Sequence, residues 1–214
     1  MIIARVIAVA IGYICGLLQT GYFYGKSQGI DIRTQGSGNA GTTNSLRVLG
    51  VKAGVITLLG DCFKAVAAVV IVYFLFRGTY PEGVKLLELY AGFGAVLGHN
   101  FPFFLKFKGG KGIACTAGVI ISLCPWWFTL VCLVVFILVV LLTRYVSLAS
   151  IIIMLLFLGS VFAFNHMGIL GVAPAYVMEF DIVAACFAAM GIWRHRANIG
   201  RLIHGNENKF SFKK

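Results

Sequence analysis

The sequence predicts an all-α integral membrane protein of seven transmembrane helices, N-terminus outside and C-terminus cytoplasmic, forming one domain over residues 1–214. Three observations carry that reading. Apolar residues make up 60% of the chain and charged ones only 12%, where soluble domains hold ~45–50% and ~25%. The apolar residues are gathered into runs, and a bilayer core needs ~20 of them in helical form. The cations fall in alternate loops, as the preference for positive charge on the cytoplasmic side requires. A disordered chain and a soluble basic domain are both excluded.

The first span, Ile2 to Tyr24, carries only Arg5 in its long apolar run. It lacks the A-x-A-like cleavage site of a signal peptide, so it is expected to stay as a helix. The second, Val51 to Phe76, holds Asp61 and Lys64 three residues apart. Charges are costly in lipid, which favours a structural ion pair facing the bundle over a proton path. The third runs from Glu88 to about Leu105. Beyond it, Lys111 to Thr143 admits one long helix or two short ones hinged at Pro125, and that choice sets the side of everything downstream.

Charge decides for two helices, Gly112 to Cys124 and Trp126 to Leu142, followed by Val146 to Phe164 and Val177 to Trp193. Lys26, Arg33, Arg47, Lys52, Lys106, Lys108, Lys111, Arg144, Arg194, Arg196, Arg201, Lys209, Lys213 and Lys214 then share one side, against Arg5, Arg77 and Lys85 opposite. Aromatic rings that prefer the interface agree. Trp126, Trp127 and Tyr176 fall at outer ends, while Tyr22, Tyr24, Tyr145 and Trp193 fall at inner ends. The pairs Gly12 with Gly16, Gly21 with Gly25 and Gly94 with Gly98 suit close helix contact. The six cysteines lie scattered in apolar stretches without a CxxC and read as small buried hydrophobes.

With eighteen Lys and Arg against seven Asp and Glu, the wet parts are basic and fit anionic lipids or phosphorylated substrates. Three inner segments carry the chemistry. GSGNAGTTNSLR, Gly36 to Arg47, has glycines that let amides converge, hydroxyls on Ser37, Thr42 and Thr43, and a helix start expected near Asn44 or Ser45, all favouring a phosphate. Gly36, Gly38 and Gly41 match G-x-G-x-x-G, but no strand precedes them, so a dinucleotide site is not supported. GHNFPFFLKFKGGKG, Gly98 to Gly112, breaks an apolar run at His99, Asn100 and Pro102 and delivers Lys111 at a helix head. Lys106 and Lys108 alternate with apolar residues and suit lipid headgroups.

The third segment, RHRANIGRLIHGNE, is expected to extend the last span. His195 and Asn198 would then share one helix face, as would Arg194, Asn198 and Arg201. RYVSLAS, Arg144 to Ser150, puts Ser147 and Ser150 just inside the membrane. His166 and His204 have no partner set and read as solvated. Glu207 has no second carboxylate near it. Asp31 and Glu207 are the inner acids, too few for two-metal phosphoryl transfer. No H-x-x-x-x-D box occurs. The G-x-S-x-G match around Ser27 follows a helix where a nucleophile elbow needs a strand.

GSGNAGTTNSLR, FPFFLKFKGGKG, RYVSLAS and RHRANIGRLIHGNE, in that order and at those spacings, resemble the PlsY family of bacterial membrane glycerol-3-phosphate acyltransferases across nearly the whole chain. Thr42, where the family more often has Ala, and Ile113, where it has Val, are mild departures. The resemblance implies fatty acyl transfer from acyl-phosphate to the sn-1 hydroxyl of glycerol-3-phosphate at the bacterial cytoplasmic (inner) membrane, as a step of phospholipid biosynthesis. It implies no cofactor or metal, membrane lipids as surroundings and no nucleic-acid partner.

On that basis His195, Asn198, Lys111 and Ser37 are the candidate catalytic residues. Ser37, Gly38, Asn39, Gly41, Thr43, Asn44, Arg47, Gly109, Gly110 and Lys111 are assigned to substrate phosphate. Ser147, Ser150 and Arg201 are further candidates for substrate contact. His195 would act as a base of pKa ~6.5 or leave the proton to a substrate phosphate. The alternative is a membrane transporter for phosphate or a phosphorylated small molecule, using Asp61 and Lys64 along its path. It is disfavoured because the polar residues crowd one face and no second half mirrors the first. A purely structural subunit would leave the His and Asn pair unexplained.

Overall fold

Two rows of small residues dictate the closest packing in the molecule. In the computed structural model, which describes residues 1–210, α1 (Ile2–Gly16) lies against α5 (Val84–Asn100). A Cβ on Gly12 or Gly16 would strike the Ala91 or Ala95 carbonyl, and one on Gly94 or Gly98 would strike the Val9 or Tyr13 carbonyl. The glycines therefore allow backbone-to-backbone contact, as small residues do between membrane helices. On α2 (Thr20–Ser27), Gly21 sits under the Ala40 carbonyl and Gly25 beside Ile30 and Ile32, so the following loop folds down onto that helix.

The remaining helices are α3 (Thr42–Leu49), α4 (Val51–Phe76), α6 (Ile113–Leu123), α7 (Trp126–Thr143), α8 (Val146–His166), α9 (Val177–Arg194) and α10 (Arg196–Ile203). α4 packs on α5 and α6, while α8 packs between α7 and α9. The core is apolar, with Leu86, Leu87, Leu89, Met154, Phe157, Phe180 and Phe187 among its members. Among the described residues, five segments are long and apolar enough to cross a membrane: residues Ile2–Ser27, α4, α7, α8 and Pro174–Arg194. Their outward faces carry exposed Val, Leu and Ile, most plainly on α7.

Several boundaries differ from the sequence expectation, each for a physical reason. The first span breaks at Leu17–Gln19, because the buried Gln19 amide donates to the carbonyls of Gly16, Gly98 and His99 (3.1, 3.3 and 3.2 Å). The third ends at Asn100 instead of Leu105. Phe103–Leu105 is a single 3-10 turn, and Lys106 and Phe107 take φ of 55° and 59°. The chain does divide at Pro125, which stands before α7. At 11 residues, α6 is ~16 Å long, short of a ~30 Å hydrocarbon core.

The tail is likewise no extension of the last span: α9 stops at Arg194 and α10 restarts after His195. Arg194 bonds the Gly109 and Gly110 carbonyls, whereas Asn198 and Arg201 bond Glu207. Asp61 and Lys64 pair at 2.8 Å, as expected, and both are buried. Of the cysteines, Cys115, Cys124 and Cys132 are buried, but Cys15 and Cys62 are half-buried and Cys186 is exposed on the outward face of α9. Lys213 and Lys214 lie outside the described residues.

The two ends of the bundle differ in character. At one, Met1 lies against Gly83, Arg5 pairs with Glu179 and Tyr90 donates to Glu179 at 2.8 Å. An open groove of about 510 Å³ also lies there, lined in part by Phe162, His166 and Asp181. The other end gathers Arg144, Arg194, α10 and the Gly109–Gly110 pair, with Phe210 N–H donating to the Arg144 carbonyl at 2.7 Å.

Candidate active site

Four separate segments converge at that second end. The loop that supplies Lys111 runs from the end of α5 to the head of α6, and protein groups satisfy its irregular backbone. Gly109 N–H donates to the Asn100 carbonyl and Gly110 N–H to the His99 carbonyl, both at 3.2 Å. Arg194 Nη2 donates to the Gly109 and Gly110 carbonyls at 3.1 and 2.7 Å, and its guanidinium lies over the Phe101 ring.

The amides of Gly109 and Gly110 are thus engaged within the protein. What requires glycine is close approach, since a Cβ at Gly109 would meet the His99 carbonyl and one at Gly110 the His99 ring nitrogen Nε2.

Lys111 Nζ donates to Asn198 Oδ1. Asn198 Nδ2 donates to Glu207 Oε1 at 2.7 Å, and Ser147 Oγ donates to the same oxygen at 3.1 Å. Arg201 Nε holds Glu207 Oε2 at 2.7 Å. Asn198, Ser147 and Arg201 therefore meet around one carboxylate that sequence reasoning left without a role, and Lys111 joins it through Asn198. Glu207 is nine residues beyond Asn198, so no helical spacing links them. The available signal was a lone acid in an otherwise basic tail.

Burial pulls the Lys111 ammonium down to about 8, against the raising effect of Glu207. His195, only 2% exposed, is pushed down to about 4, mainly by burial and further by Lys111 and Arg194, against its bond to Gly191. It is therefore neutral at pH 7, which corrects the expected ~6.5 of an unperturbed imidazole. Its Nδ1 lies 2.8 Å from the Gly191 carbonyl. A carbonyl only accepts, so the proton sits on Nδ1 and Nε2 presents a lone pair.

The first glycine loop is built differently from the expectation. α3 begins at Thr42, two residues early, with Gly41 before it. Ser37 N–H donates to Asn44 Oδ1 at 2.8 Å, Gly38 N–H to the Gln35 carbonyl at 3.0 Å, and Gly41 N–H to Asn39 Oδ1 at 2.9 Å. Asn44 Nδ2 donates to the carbonyls of Ile32 and Gln35 (2.8 and 3.1 Å). The amides of Ser37, Gly38 and Gly41 and both ends of the buried Asn44 side chain thus hold the loop's shape. The Ser37 side chain and Arg47 stay exposed, and the amides of Thr42 and Thr43 head the helix without intrahelical acceptors.

No direct bond joins this loop to the Lys111 cluster among the described residues. They are connected through α2 and the break before it: Gly21 supports Ala40, and Gln19 holds His99. Ser150 turns away from the cluster and donates to the Val146 carbonyl at 2.8 Å. His166 and His204 are exposed, as expected. Ser27 ends a helix, so no nucleophile elbow is present. Among the described residues no three of His, Cys, Asp and Glu gather as a metal site.

Fold and site together define a multi-helix integral membrane protein whose one end holds a half-buried lysine and a neutral histidine beside an asparagine bonded to a carboxylate. A family profile described as glycerol-3-phosphate acyltransferase matches residues 6–205, and the chain belongs to that family, PlsY. The glycerol-3-phosphate acyltransferase of Clostridioides difficile (strain 630) is 42% identical over 223 residues, covering 100% of this chain and 98% of that protein. The enzyme of the same name from Shouchella clausii (strain KSM-K16) is 39% identical, covering 100% and 99%. The crystal structure of PlsY (YgiH), an integral membrane glycerol 3-phosphate acyltransferase in its glycerol 3-phosphate form, aligns with a TM-score of 0.79 at 33% identity. That alignment covers 97% of this chain and 96% of that one.

Proposed function

We propose that this protein transfers a fatty acyl group from acyl-phosphate to the sn-1 hydroxyl of glycerol-3-phosphate, releasing lysophosphatidic acid and phosphate at the cytoplasmic face of the bacterial inner membrane. The observation that carries the reading is the pairing of Lys111 with Asn198 beside the unprotonated Nε2 of His195. A cation for phosphate and a lone pair for a hydroxyl thus stand together at one end of a membrane bundle. Membership of the family supports the acceptor.

In this reading Lys111 and Arg47 take substrate phosphates, with the Ser37 hydroxyl and the Thr42 and Thr43 amides as further donors. Asn198 fixes the Lys111 ammonium, and His195 Nε2 accepts the hydrogen bond of the acceptor's other hydroxyl, so that the attacking hydroxyl keeps its proton free for phosphate. An acyl-phosphate already has a good leaving group, so no covalent enzyme intermediate is needed. Holding both reactants in attack geometry supplies up to ~7–11 kcal/mol. As the new ester C–O bond forms and the C–O bond to phosphate breaks, the hydroxyl proton needs an acceptor. A phosphate with a second pKa near ~6 outcompetes a histidine at about 4. The proton accordingly leaves with substrate phosphate, and His195 orients.

Purified protein given acyl-phosphate and glycerol-3-phosphate is expected to form lysophosphatidate with chelator present, because the site's one carboxylate, Glu207, is already taken by three side-chain donors. Acyl-CoA and acyl-carrier protein are expected to be inactive in parallel. Activity lost on chelation and restored by Mg²⁺, or equal use of acyl-CoA, would count against this reading.

The seven-span topology, with α1 entering from outside and α5 and α6 crossing within the bundle, belongs to the same proposal. In a cysteine-free background, single cysteines at Ser37 and His204 are expected to label only from the cytoplasm, and one at Thr79 only from outside. All three sites are exposed; Ser211, a further tail position for such a probe, lies outside the described residues. Labelling of His204 from outside, with Ser37 still labelled from the cytoplasm, would mean that Gly112 to Leu142 crosses only once.

A further inference from the structure

Deep in the bundle, away from the carboxylate cluster, the Lys64 ammonium makes three contacts. It donates to the Leu18 carbonyl at 2.5 Å and to Asp61 Oδ1 at 2.8 Å, and it lies 2.8 Å from His99 Nδ1. An ammonium has three donors and no acceptor, so its capacity is filled and Nδ1 must accept. The ring proton then sits on Nε2, the atom that a Cβ at Gly110 would strike. Thr20 Oγ1 donates to Asp61 Oδ1 at 3.1 Å. One buried cation thereby touches the break between α1 and α2, its own helix α4 and the last turn of α5.

We propose that Lys64 is a positioning residue for the reaction, acting through the His99 ring to seat the Gly109–Lys111 loop so that Lys111 meets substrate phosphate. The His99 side chain lies under Gly110, and its carbonyl receives Gly110 N–H and the Gln19 amide. Arg194 grips the opposite edge of the same two peptides. A ring turned by the loss of its Lys64 bond moves the floor of this clamp one residue from the Lys111 Cα. Filling space alone does not call for an ion pair at this depth, since apolar groups of similar volume do that at lower desolvation cost. What the pair adds is direction, a fixed donor aimed at Nδ1.

The inference rests on the acyl-transfer reading, and its test keeps the two apart. Lys111 is labelled with an amine-reactive reagent, scored by mass spectrometry, with and without glycerol-3-phosphate, alongside steady-state kinetics and a thermal midpoint. The variants are the charge-free double Asp61→Asn with Lys64→Met, and the pair His99→Asn and His99→Phe. In the double variant, folded, KM for glycerol-3-phosphate is expected to rise ~10-fold or more with kcat within about 3-fold, and protection of Lys111 to need correspondingly more substrate.

His99→Asn keeps an acceptor near the place of Nδ1 and is expected to retain more activity than His99→Phe, which keeps ring volume only. A role in packing alone gives the opposite order. Unchanged KM and protection in the folded double variant, or His99→Phe matching His99→Asn, overturns the proposal. Should the double variant not fold, the order of the two His99 variants decides. Absence of protection in the unmodified protein overturns the assignment of Lys111 to phosphate, and this inference with it.

Discussion

His195→Ala is expected to lower kcat/KM for glycerol-3-phosphate by ~10²-fold, the cost of releasing a reacting group from its attack geometry, and to stay impaired when acyl-phosphate is saturating. The imidazole is neutral at all working pH because burial holds it at about 4. Raising the pH from about 7 to about 9 therefore changes nothing about this group and cannot rescue the variant. The sign for the unmodified protein is equally definite. The lone pair is present above pH 4, so no inflection from His195 belongs near neutrality. A break near ~6, from ionisation of substrate phosphate, should persist in the alanine variant. A break that vanishes with the histidine would restore it as a general base, a role that typically contributes ~10²–10⁴-fold. Near-normal turnover at saturating glycerol-3-phosphate would leave it a binding residue.

Lys111→Ala should cost about 10- to 150-fold in rate or affinity, the weight of a charge-assisted hydrogen bond of ~1.5–3 kcal/mol, with the fold retained. Because burial lowers its ammonium to about 8, the charge that binds phosphate is complete below that pH and lost above it. KM for the phosphorylated substrate should therefore climb between about pH 8 and pH 9.5. Lys111→Arg keeps its charge throughout, so this alkaline limb should flatten. Its activity should still be reduced, since a planar fork does not fit where a compact ammonium meets Asn198 beside packed glycines. An unchanged alkaline limb in Lys111→Arg would assign that ionisation elsewhere.

Much of the site was legible in order but not in geometry. The Gly109-Gly110-Lys111 run, His195 with Asn198, and Ser147 could be selected because polar and glycine residues at the ends of apolar runs are conspicuous. Their partners could not. Glu207 gains its role from three donors brought in by α8 and α10, and Arg194 from carbonyls on a loop 84 and 85 residues away. His99 was noticed only as an interruption, although it joins Asp61 and Lys64. The amides of Gly38 and Gly41 were read as turned toward an anion because a sequence does not show which acceptors will be near enough to take them.

The sequence by itself determined the membrane class, the helical runs, the division at Pro125 and the glycine rows, since each follows from composition, from periodicity or from the placing of charge along one chain. Tertiary structure alone decided where the first helix breaks, that the tail restarts as α10, which glycines pack instead of donate, and the charge states of His195 and Lys111. The physical reason is common to all four. Each depends on desolvation and on acceptors supplied by segments distant in sequence, and those are set only when the helices come together.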